Sequence, residues 1–258
     1  MNKGSLRETL DKKENIDCVF LRLSDPTVAE VLARAGIKMF VLDCEHYCFS
    51  EESMLSIIRA CNQCGAECLI RVKGVDSSKI GRLLDAGACG VLLADTESAE
   101  EVRECVNAVK YPPLGKRGVS TDSRNNWYGY KTADLSVYPV QENENTVIGV
   151  IIETEGAINT LDDILSIPEL DFASVGTMDL SYALGVPGQT KSQTVVETKQ
   201  QIYKKILEHG KAALDKCGSK EDRELLQKKG ISCFYIASDI ELFKKGLRSV
   251  DFSEKKQL

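Results

Sequence analysis

The chain has 258 residues, of which 43% are hydrophobic and 28% charged, a composition typical of a globular protein with a full hydrophobic core. Its formal net charge of −6, with both signs mixed along the chain, argues against a nucleic-acid partner. No apolar stretch approaches the roughly 18 residues of a membrane span, so no membrane partner is expected. Residues 1–16 do not resemble a signal peptide, which favours a cytoplasmic protein whose 10 cysteines are reduced.

Short runs rich in Val, Ile and Leu alternate with helical patterns along the chain, and this alternation predicts βαβ units and a parallel sheet. The predicted strands are residues 18–23, 38–43, 67–72, 90–93, 147–152, 172–175 and 231–236, with a weaker strand near 211–215. The predicted helices are residues 26–35, 51–64, 77–85, 98–109, 156–165, 195–214 and 219–229. We therefore expect one α/β domain over residues 1–258, a single (β/α)8 TIM barrel whose last helix covers about 238–252.

The longest irregular segment is residues 111–130, which contains two adjacent prolines and three glycines. Prolines fix the backbone and glycines permit unusual dihedral angles, so the segment is expected to be an ordered loop. Loops of this length in compact domains are usually functional.

Polar side chains stand where several predicted strands end. His46 follows the second strand, Arg71 ends the third, Glu153 follows the fifth and Asp179 follows the sixth. Because active sites of α/β barrels lie at the carboxyl ends of the strands, these side chains are expected to meet at one mouth of the barrel.

Glu153 and Asp179 on neighbouring strands suit a hard divalent metal cation. Mg²⁺ takes one or two carboxylates and completes its shell with water or substrate oxygens, and oxygen ligands suit Mn²⁺ and Co²⁺ as well. The competing interpretation is that both carboxylates only cap helices or stabilise a helix dipole. The pair together with His46 and Arg71 favours a metal site.

His46 can transfer a proton near neutral pH, and the alternative is a histidine held by hydrogen bonds near the core. Arg71 is a permanent positive charge that can stabilise an enolate oxygen or bind a carboxylate. It can also form a salt bridge to Asp43 or Glu45, and the two roles are compatible.

Two other kinds of site are less well supported. The spacing of Cys61, Cys64 and Cys68 resembles that of iron–sulfur ligands, but no fourth ligand stands nearby at a suitable distance along the chain. A Schiff-base mechanism needs a lysine at the mouth, and Lys73 is the only candidate beside a strand end. The metal route is therefore preferred.

These motifs together resemble the HpcH/HpaI aldolases, a family of metal-dependent pyruvate aldolases, over about residues 18–239. The residues that carry the resemblance are 40–46 (FVLDCEH), 70–72 (IRV), 84–90 (LDAGACG), 111–118 (YPPLGKRG), 152–154 (IET) and 176–181 (GTMDLS). The resemblance implies a (β/α)8 barrel, a divalent metal cation (Mg²⁺, Mn²⁺ or Co²⁺), and a homo-oligomer, a hexamer or trimer of dimers that exchanges its C-terminal helix between subunits.

The resemblance also implies roles for single residues. Glu153 and Asp179 would bind the metal, and Arg71 would stabilise the enolate oxygen. His46, oriented by Asp85 or Asp43, would move the proton of the substrate hydroxyl. The residues expected to bind the substrate are Arg71, Gly176, Thr177, Met178 and Asp179.

The implied activity is an aldehyde-lyase that reversibly cleaves a 4-hydroxy-2-oxo acid to pyruvate and an aldehyde, so its partners are a small keto acid and an aldehyde. One alternative is an acyl-CoA lyase of the citramalyl- or malyl-CoA type, for which Lys110, Lys116, Arg117 and Arg124 would form the groove for the CoA phosphates. The other is a non-catalytic relative, suggested by departures from the family pattern at Ile151, residues 94–95 and residues 177–178.

Overall fold

A computed structural model describes residues 5–132, 134 and 136–250. Eight parallel strands pair in chain order, and the eighth pairs with the first to close a barrel. They are β1 (Ile16–Leu21), β2 (Met39–Asp43), β3 (Glu67–Lys73), β4 (Gly90–Ala94), β5 (Val147–Ile152), β6 (Phe172–Val175), β7 (Ala212–Lys216) and β8 (Cys233–Ser238). The predicted (β/α)8 barrel is confirmed, including the weak strand near residues 211–215.

Helices cover the outside of the barrel. They are α1 (Ser5–Asp11), α2 (Pro26–Arg34), α3 (Glu51–Gln63), α4 (Ser77–Asp85), α5 (Ala99–Val109), α6 (Tyr138–Asn145), α7 (Glu155–Asn159), α8 (Leu161–Leu165), α9 (Thr177–Ala183), α10 (Gln193–Glu208), α11 (Lys220–Lys228) and α12 (Asp239–Ser249). A 3₁₀ segment spans Arg124–Gly129. No helix within the described ranges is long and apolar enough to cross a membrane.

Two predicted helices were wrong in extent. The helix predicted at 195–214 ends at Glu208, because Gly210 adopts a φ of +73° that a helix cannot continue through, and the chain then enters β7. The helix predicted at 156–165 is two short helices that meet at Thr160. The last helix ends at Ser249, and residues 251–252 of its predicted range lie outside the described residues.

The hydrophobic core has two layers, because side chains of each strand alternate between the barrel interior and the helices. The outer layer lies between the strands and the surrounding helices. The inner layer fills the barrel, and Leu6 and Leu10 of α1 join it. The N–H of Leu6 donates to Glu67 Oε2 at 2.8 Å at the start of β3. Helix α1 therefore closes the amino end of the barrel and leaves the carboxyl end as the mouth.

The long loop at 111–130 lies at the closed end of the barrel, since it leaves a helix and leads into β5. Basic residues in and beside the loop bind the protein itself. Lys110 Nζ, just before the loop, donates to the carbonyl oxygens of Asn143 and Thr146, each at 2.6 Å, and Arg124 Nη1 donates to the Ala86 oxygen at 2.7 Å. These basic side chains therefore have partners inside the protein, and a functional role for the loop stays a prediction.

Gly90 at the start of β4 lies too close to the backbone of β5 to carry a side chain. A Cβ atom there would lie 1.9 Å from the backbone oxygen of Val147 on β5, which cannot move without breaking the ladder. Gly90→Ala should lower the free energy of unfolding by about 2 kcal/mol or more, as overpacked cores do. Gly81→Ala is the control: its Cβ meets nothing within 4 Å, and it should stabilise α4 by up to about 1 kcal/mol. Urea unfolding measures both, and equal stability of the two variants would contradict the assignment.

Candidate active site

The mouth of the barrel gathers four of the residues expected there. Asp43 ends β2 directly opposite Arg71 of β3 in the parallel ladder. Glu153 follows β5, and Asp179 lies in the first turn of α9 after β6. Neighbouring strands thus bring the arginine and the carboxylates to one end of the barrel, as the sequence indicates.

Asp43 is the buried centre of this cluster. Its carboxylate accepts two hydrogen bonds from Arg71, from Nε at 3.0 Å and from Nη2 at 2.6 Å, and a third from Arg22 Nε at 3.1 Å. Burial alone would raise the pKa of Asp43, but the hydrogen bonds and charge of Arg71, with the charge of Arg22, hold it below its ordinary value. Asp43 therefore stays ionised and fixes the Arg71 guanidinium in one orientation. The predicted salt bridge of Arg71 is confirmed.

Arg22 is a member of the cluster that sequence reasoning missed. Its backbone N–H and that of Leu23 donate to Asp239 Oδ2, at 2.8 and 2.9 Å, so the start of α12 is anchored on the end of β1. The Arg22 guanidinium also lies 5.3 Å from the ring centroid of Tyr47. Residues 18–23 read as a uniform strand, and nothing in that run indicated that it ends at an arginine facing the mouth.

Glu45, expected only as a possible salt-bridge partner of Arg71, is a second member of the cluster. Its side chain is 7% exposed, and Oε2 lies 3.2 Å from Arg71 Nη1 in an ion pair without hydrogen-bond geometry. Within the described part of the chain, this oxygen has no hydrogen-bond partner. A buried carboxylate oxygen without a donor is costly unless a ligand, water or cation completes it. Its position one residue before His46, at the end of β2, was the sequence feature that could have indicated a place at the mouth.

His46 lies more open to solvent than expected. Its side chain is 56% exposed, and Nε2 is 3.7 Å from Glu45 Oε2. Asp43 contacts it through the backbone, accepting from the His46 N–H at 3.4 Å. The carboxylate near the imidazole is therefore that of Glu45. Asp43 contacts His46 through its backbone N–H and does not orient the ring directly.

Asp85, the other residue expected to orient His46, is not at the mouth of its own chain. It ends α4, which runs back toward the amino ends of the strands, and Oδ1 accepts from Arg117 Nη2 at 2.6 Å. The Arg117 N–H in turn donates to the Lys110 oxygen beyond the end of α5. Asp85 thus lies at the closed end of its own chain, paired with Arg117, and a role of Asp85 in orienting His46 stays a prediction.

Glu153 is the most perturbed carboxylate of the mouth. Burial is the main cause that raises its pKa to about 7, the charges of Asp179 and Glu45 raise it further, and the Asp95 N–H, which donates to Oε1 at 3.0 Å, opposes them. On the other side, a Cβ at Gly176 would lie 1.7 Å from Oε2, so glycine is needed for the two strands to approach. The side chain is confined from both sides.

Helix α9 begins beside Glu153 and carries the remaining predicted residues. It starts after Gly176 with Thr177 and has no side-chain cap, so its first N–H groups are left for solvent or a ligand. Asp179 is exposed in this turn, and Met178 is also exposed. These four positions lie together next to Glu153, as expected from the motif.

The donor atoms here fit a hard divalent cation. Two carboxylates of like charge lie close enough to raise the pKa of Glu153, and a cation would offset that repulsion and the cost of burial. No described group of three or more His, Cys, Asp or Glu side chains is arranged to hold a metal. A cation at Glu153 and Asp179 would therefore keep positions for water or substrate oxygens, as Mg²⁺ does.

Asp43→Asn tests the charge cluster. The substitution leaves two guanidinium groups without their buried counter-charge, and it should lower the free energy of unfolding at pH 7 by about 3 kcal/mol. Because the folded-state pKa of Asp43 is lowered, this stabilisation is complete above the unfolded pKa of about 4 and is lost as the pH falls through the folded value. Urea unfolding from pH 7 to pH 3 should show the difference between the two proteins shrinking below pH 4.

The control is Asp163→Asn, which changes an exposed carboxylate of α8 and should alter stability by less than about 0.5 kcal/mol at every pH. A difference between Asp43→Asn and the wild type that is the same at pH 3 and pH 7 would contradict the assignment.

Comparisons with known proteins identify the family of this chain. The model of the family described as HpcH/HpaI aldolase/citrate lyase matches residues 17–244. The 5-keto-4-deoxy-D-glucarate aldolases of Escherichia coli O157:H7 (strain EC4115 / EHEC) and Shigella sonnei (strain Ss046) are each 31% identical over 245 residues, covering 95% of this chain and 94% of theirs. Among solved structures, an HpcH/HpaI aldolase from Desulfitobacterium hafniense DCB-2 has a TM-score of 0.87 and 27% identity, covering 95% of both chains. Citrate synthase SbnG has a TM-score of 0.85 and 27% identity with the same coverage. The chain belongs to the HpcH/HpaI aldolase/citrate lyase family.

Proposed function

We propose that this protein is a carbon–carbon lyase that reversibly cleaves a 4-hydroxy-2-oxo acid to pyruvate and an aldehyde, with a divalent cation held by Glu153 and Asp179. The observation that carries the proposal is the buried carboxylate of Glu153, with a pKa raised to about 7, beside Asp179 and the fixed guanidinium of Arg71. A bound divalent cation supplies a Lewis acid that polarises the keto oxygen of the substrate.

Arg71 supplies positive charge that is already in place before the reaction. Two hydrogen bonds to Asp43 hold the guanidinium, so it need not reorganise when negative charge develops on the keto oxygen. The amide groups at the start of α9, from Gly176 to Asp179, are the proposed contacts of the substrate carboxylate, because that turn has no side-chain cap.

His46 is the proposed proton carrier. Cleavage requires the removal of the proton of the C4 hydroxyl as the bond between C3 and C4 breaks, and aldol addition returns it. The imidazole is open to the mouth, and its Nε2 lies 3.7 Å from Oε2 of the buried Glu45 side chain, so the ring has a polar neighbour beside it while it takes up and returns the proton.

The curated relatives suggest the class of substrate. 5-Keto-4-deoxy-D-glucarate, numbered from its other end, is a 4-hydroxy-2-oxo acid with a second carboxylate. We propose that this chain acts on a related keto-deoxy sugar acid and releases an aldehyde that retains the distal carbons.

A condensation or cleavage of citrate or an acyl-CoA is the second candidate, favoured by the 27% identity to a citrate synthase. The acyl-CoA version has less support, because Lys110, Arg117 and Arg124 lie at the closed end of the barrel with internal partners. The non-catalytic alternative has less support because the mouth keeps the arginine, the histidine and both carboxylates.

Exchange of the pyruvate methyl protons in heavy water, followed by NMR, tests the chemistry without knowledge of the aldehyde. We expect exchange with Mg²⁺ or Mn²⁺, none with a chelator, and a loss of at least about 100-fold in Glu153→Gln, as for the removal of a major charge-stabilising group. The matched control is Glu155→Gln, two residues along and exposed, which should exchange like the wild type. Full exchange by Glu153→Gln, or full exchange with the chelator, would overturn the metal assignment.

We also propose a homo-oligomer in which α12 contacts another subunit. Phe243 is 65% exposed and Leu247 46% exposed on this helix, and an apolar groove of about 350 Å³ runs beside it along α2. Two large exposed apolar side chains one turn apart on a helix, beside an apolar groove, favour burial of this surface against another subunit.

Phe243→Lys should therefore reduce the molar mass measured by light scattering after size exclusion. Val140→Lys, which changes an equally apolar exposed residue on α6, should leave the mass unchanged. A wild-type protein that is monomeric, or a Phe243→Lys protein of wild-type mass, would contradict the role of α12.

A further inference from the structure

Asp95 adopts a left-handed backbone conformation directly after β4. Its φ is +54°, in a region that few non-glycine residues occupy, Asp and Asn more often than the others. Such strain persists only where surrounding contacts hold it, and it is found mostly at functional sites. The contacts around Asp95 therefore indicate which function this backbone conformation serves.

The segment 95–97, here called the β4 clasp, binds the segment after β5 at three points. The Asp95 N–H donates to Glu153 Oε1 at 3.0 Å, Thr154 Oγ1 donates to the Thr96 oxygen at 2.6 Å, and the Gly156 N–H donates to Glu97 Oε2 at 3.2 Å. Within the described residues, the first of these is the one hydrogen bond that reaches the Glu153 carboxylate.

The fit is tight on both sides of Glu153. A Cβ at Gly156 would lie 2.2 Å from Glu97 Oε2 and 2.5 Å from the Glu97 backbone oxygen, so the clasp and the start of α7 are in close contact. Gly176 confines the other carboxylate oxygen in the same way. The Asp95 N–H at one carboxylate oxygen and Gly176 beside the other therefore restrict the side chain of Glu153.

An ion pair accompanies the left-handed turn. Lys73 Nζ contacts Asp95 Oδ2, and the register of β3 with β4 places Lys73 opposite Ala94. The backbone of Asp95 thus turns its N–H toward Glu153 while its side chain pairs with Lys73 on the neighbouring strand. Both side chains are partly exposed, so solvent screens the pair, and we assign the main effect to the backbone.

We propose that Asp95 is a positioning residue, whose left-handed backbone orients the carboxylate of Glu153 for a divalent cation. The inference rests on the proposed function of Glu153 as a metal ligand. If the Asp95 backbone relaxed to an ordinary conformation, its N–H would turn away and the buried oxygen would lose its donor. Glu153 would then meet the cation in more than one orientation.

The experiment measures Mn²⁺ binding by isothermal titration calorimetry and by the EPR signal of the bound ion, in full-length protein. Asp95→Val should weaken binding by about tenfold or more, because a β-branched residue disfavours φ > 0 by more than 1 kcal/mol. Asp95→Gly and Asp95→Asn, which tolerate the left-handed conformation but remove the charge, should bind within about threefold of the wild type, since an exposed ion pair contributes little.

The outcomes separate this inference from the function on which it rests. No Mn²⁺ binding by the wild type would overturn both. Wild-type binding together with unchanged affinity in a folded Asp95→Val protein, checked by circular dichroism, would overturn the positioning role alone. A loss in Asp95→Gly as large as in Asp95→Val would also overturn it, because the side-chain charge would then be the cause.

Discussion

The buried pairing of Asp43 with Arg71 is the interaction on which the mouth of this barrel depends. A carboxylate with no exposed surface is costly unless its charge is matched, and two guanidinium groups match it here. The arrangement joins the ends of β1, β2 and β3 and, through Arg22 and Asp239, also the start of α12. A network of charges therefore sets the shape of one half of the mouth before any ligand enters.

The other half of the mouth has the opposite electrostatic character. Glu153 is buried with a raised pKa and with like charges as neighbours, so the protein without a ligand does not stabilise its ionised form. The mouth therefore has a permanent cation fixed on one side and a buried carboxylate with a raised pKa on the other. The comparisons place the chain in a family whose named members make or break carbon–carbon bonds, and this division suits that chemistry.

Much of the fold and part of the site could be predicted from the sequence, for reasons that are local. Buried parallel strands are continuous apolar runs, so β5 and β6 were located without error, and the residues that follow strands necessarily meet at one end.

Helix α10 was predicted to be too long, because Ala212, Ala213 and Leu214 suit helices and strands equally, and pairing with β6 decides between them. Helix α6, with Pro139 in its first turn, has too weak an apolar pattern to stand out. A motif does not reveal which end of the barrel it occupies, whereas the direction of the preceding helix places Asp85 and the loop at 111–130 at the closed end. The unmatched oxygen of Glu45 and the left-handed turn at Asp95 depend on three-dimensional contacts and leave no sequence pattern.

The closed end of the barrel has a consequence for how such a protein can diverge. Helix α1, the Asp85–Arg117 pair and the buried Lys110 ammonium lie at the end of the barrel opposite the mouth, where each contacts other groups of the protein. Substitutions at the mouth that add strain, of the kind present at Asp95, can be tolerated for as long as these remote contacts retain a reserve of stability. Selection on the chemistry at the mouth and selection on folding would then act on separate sets of residues.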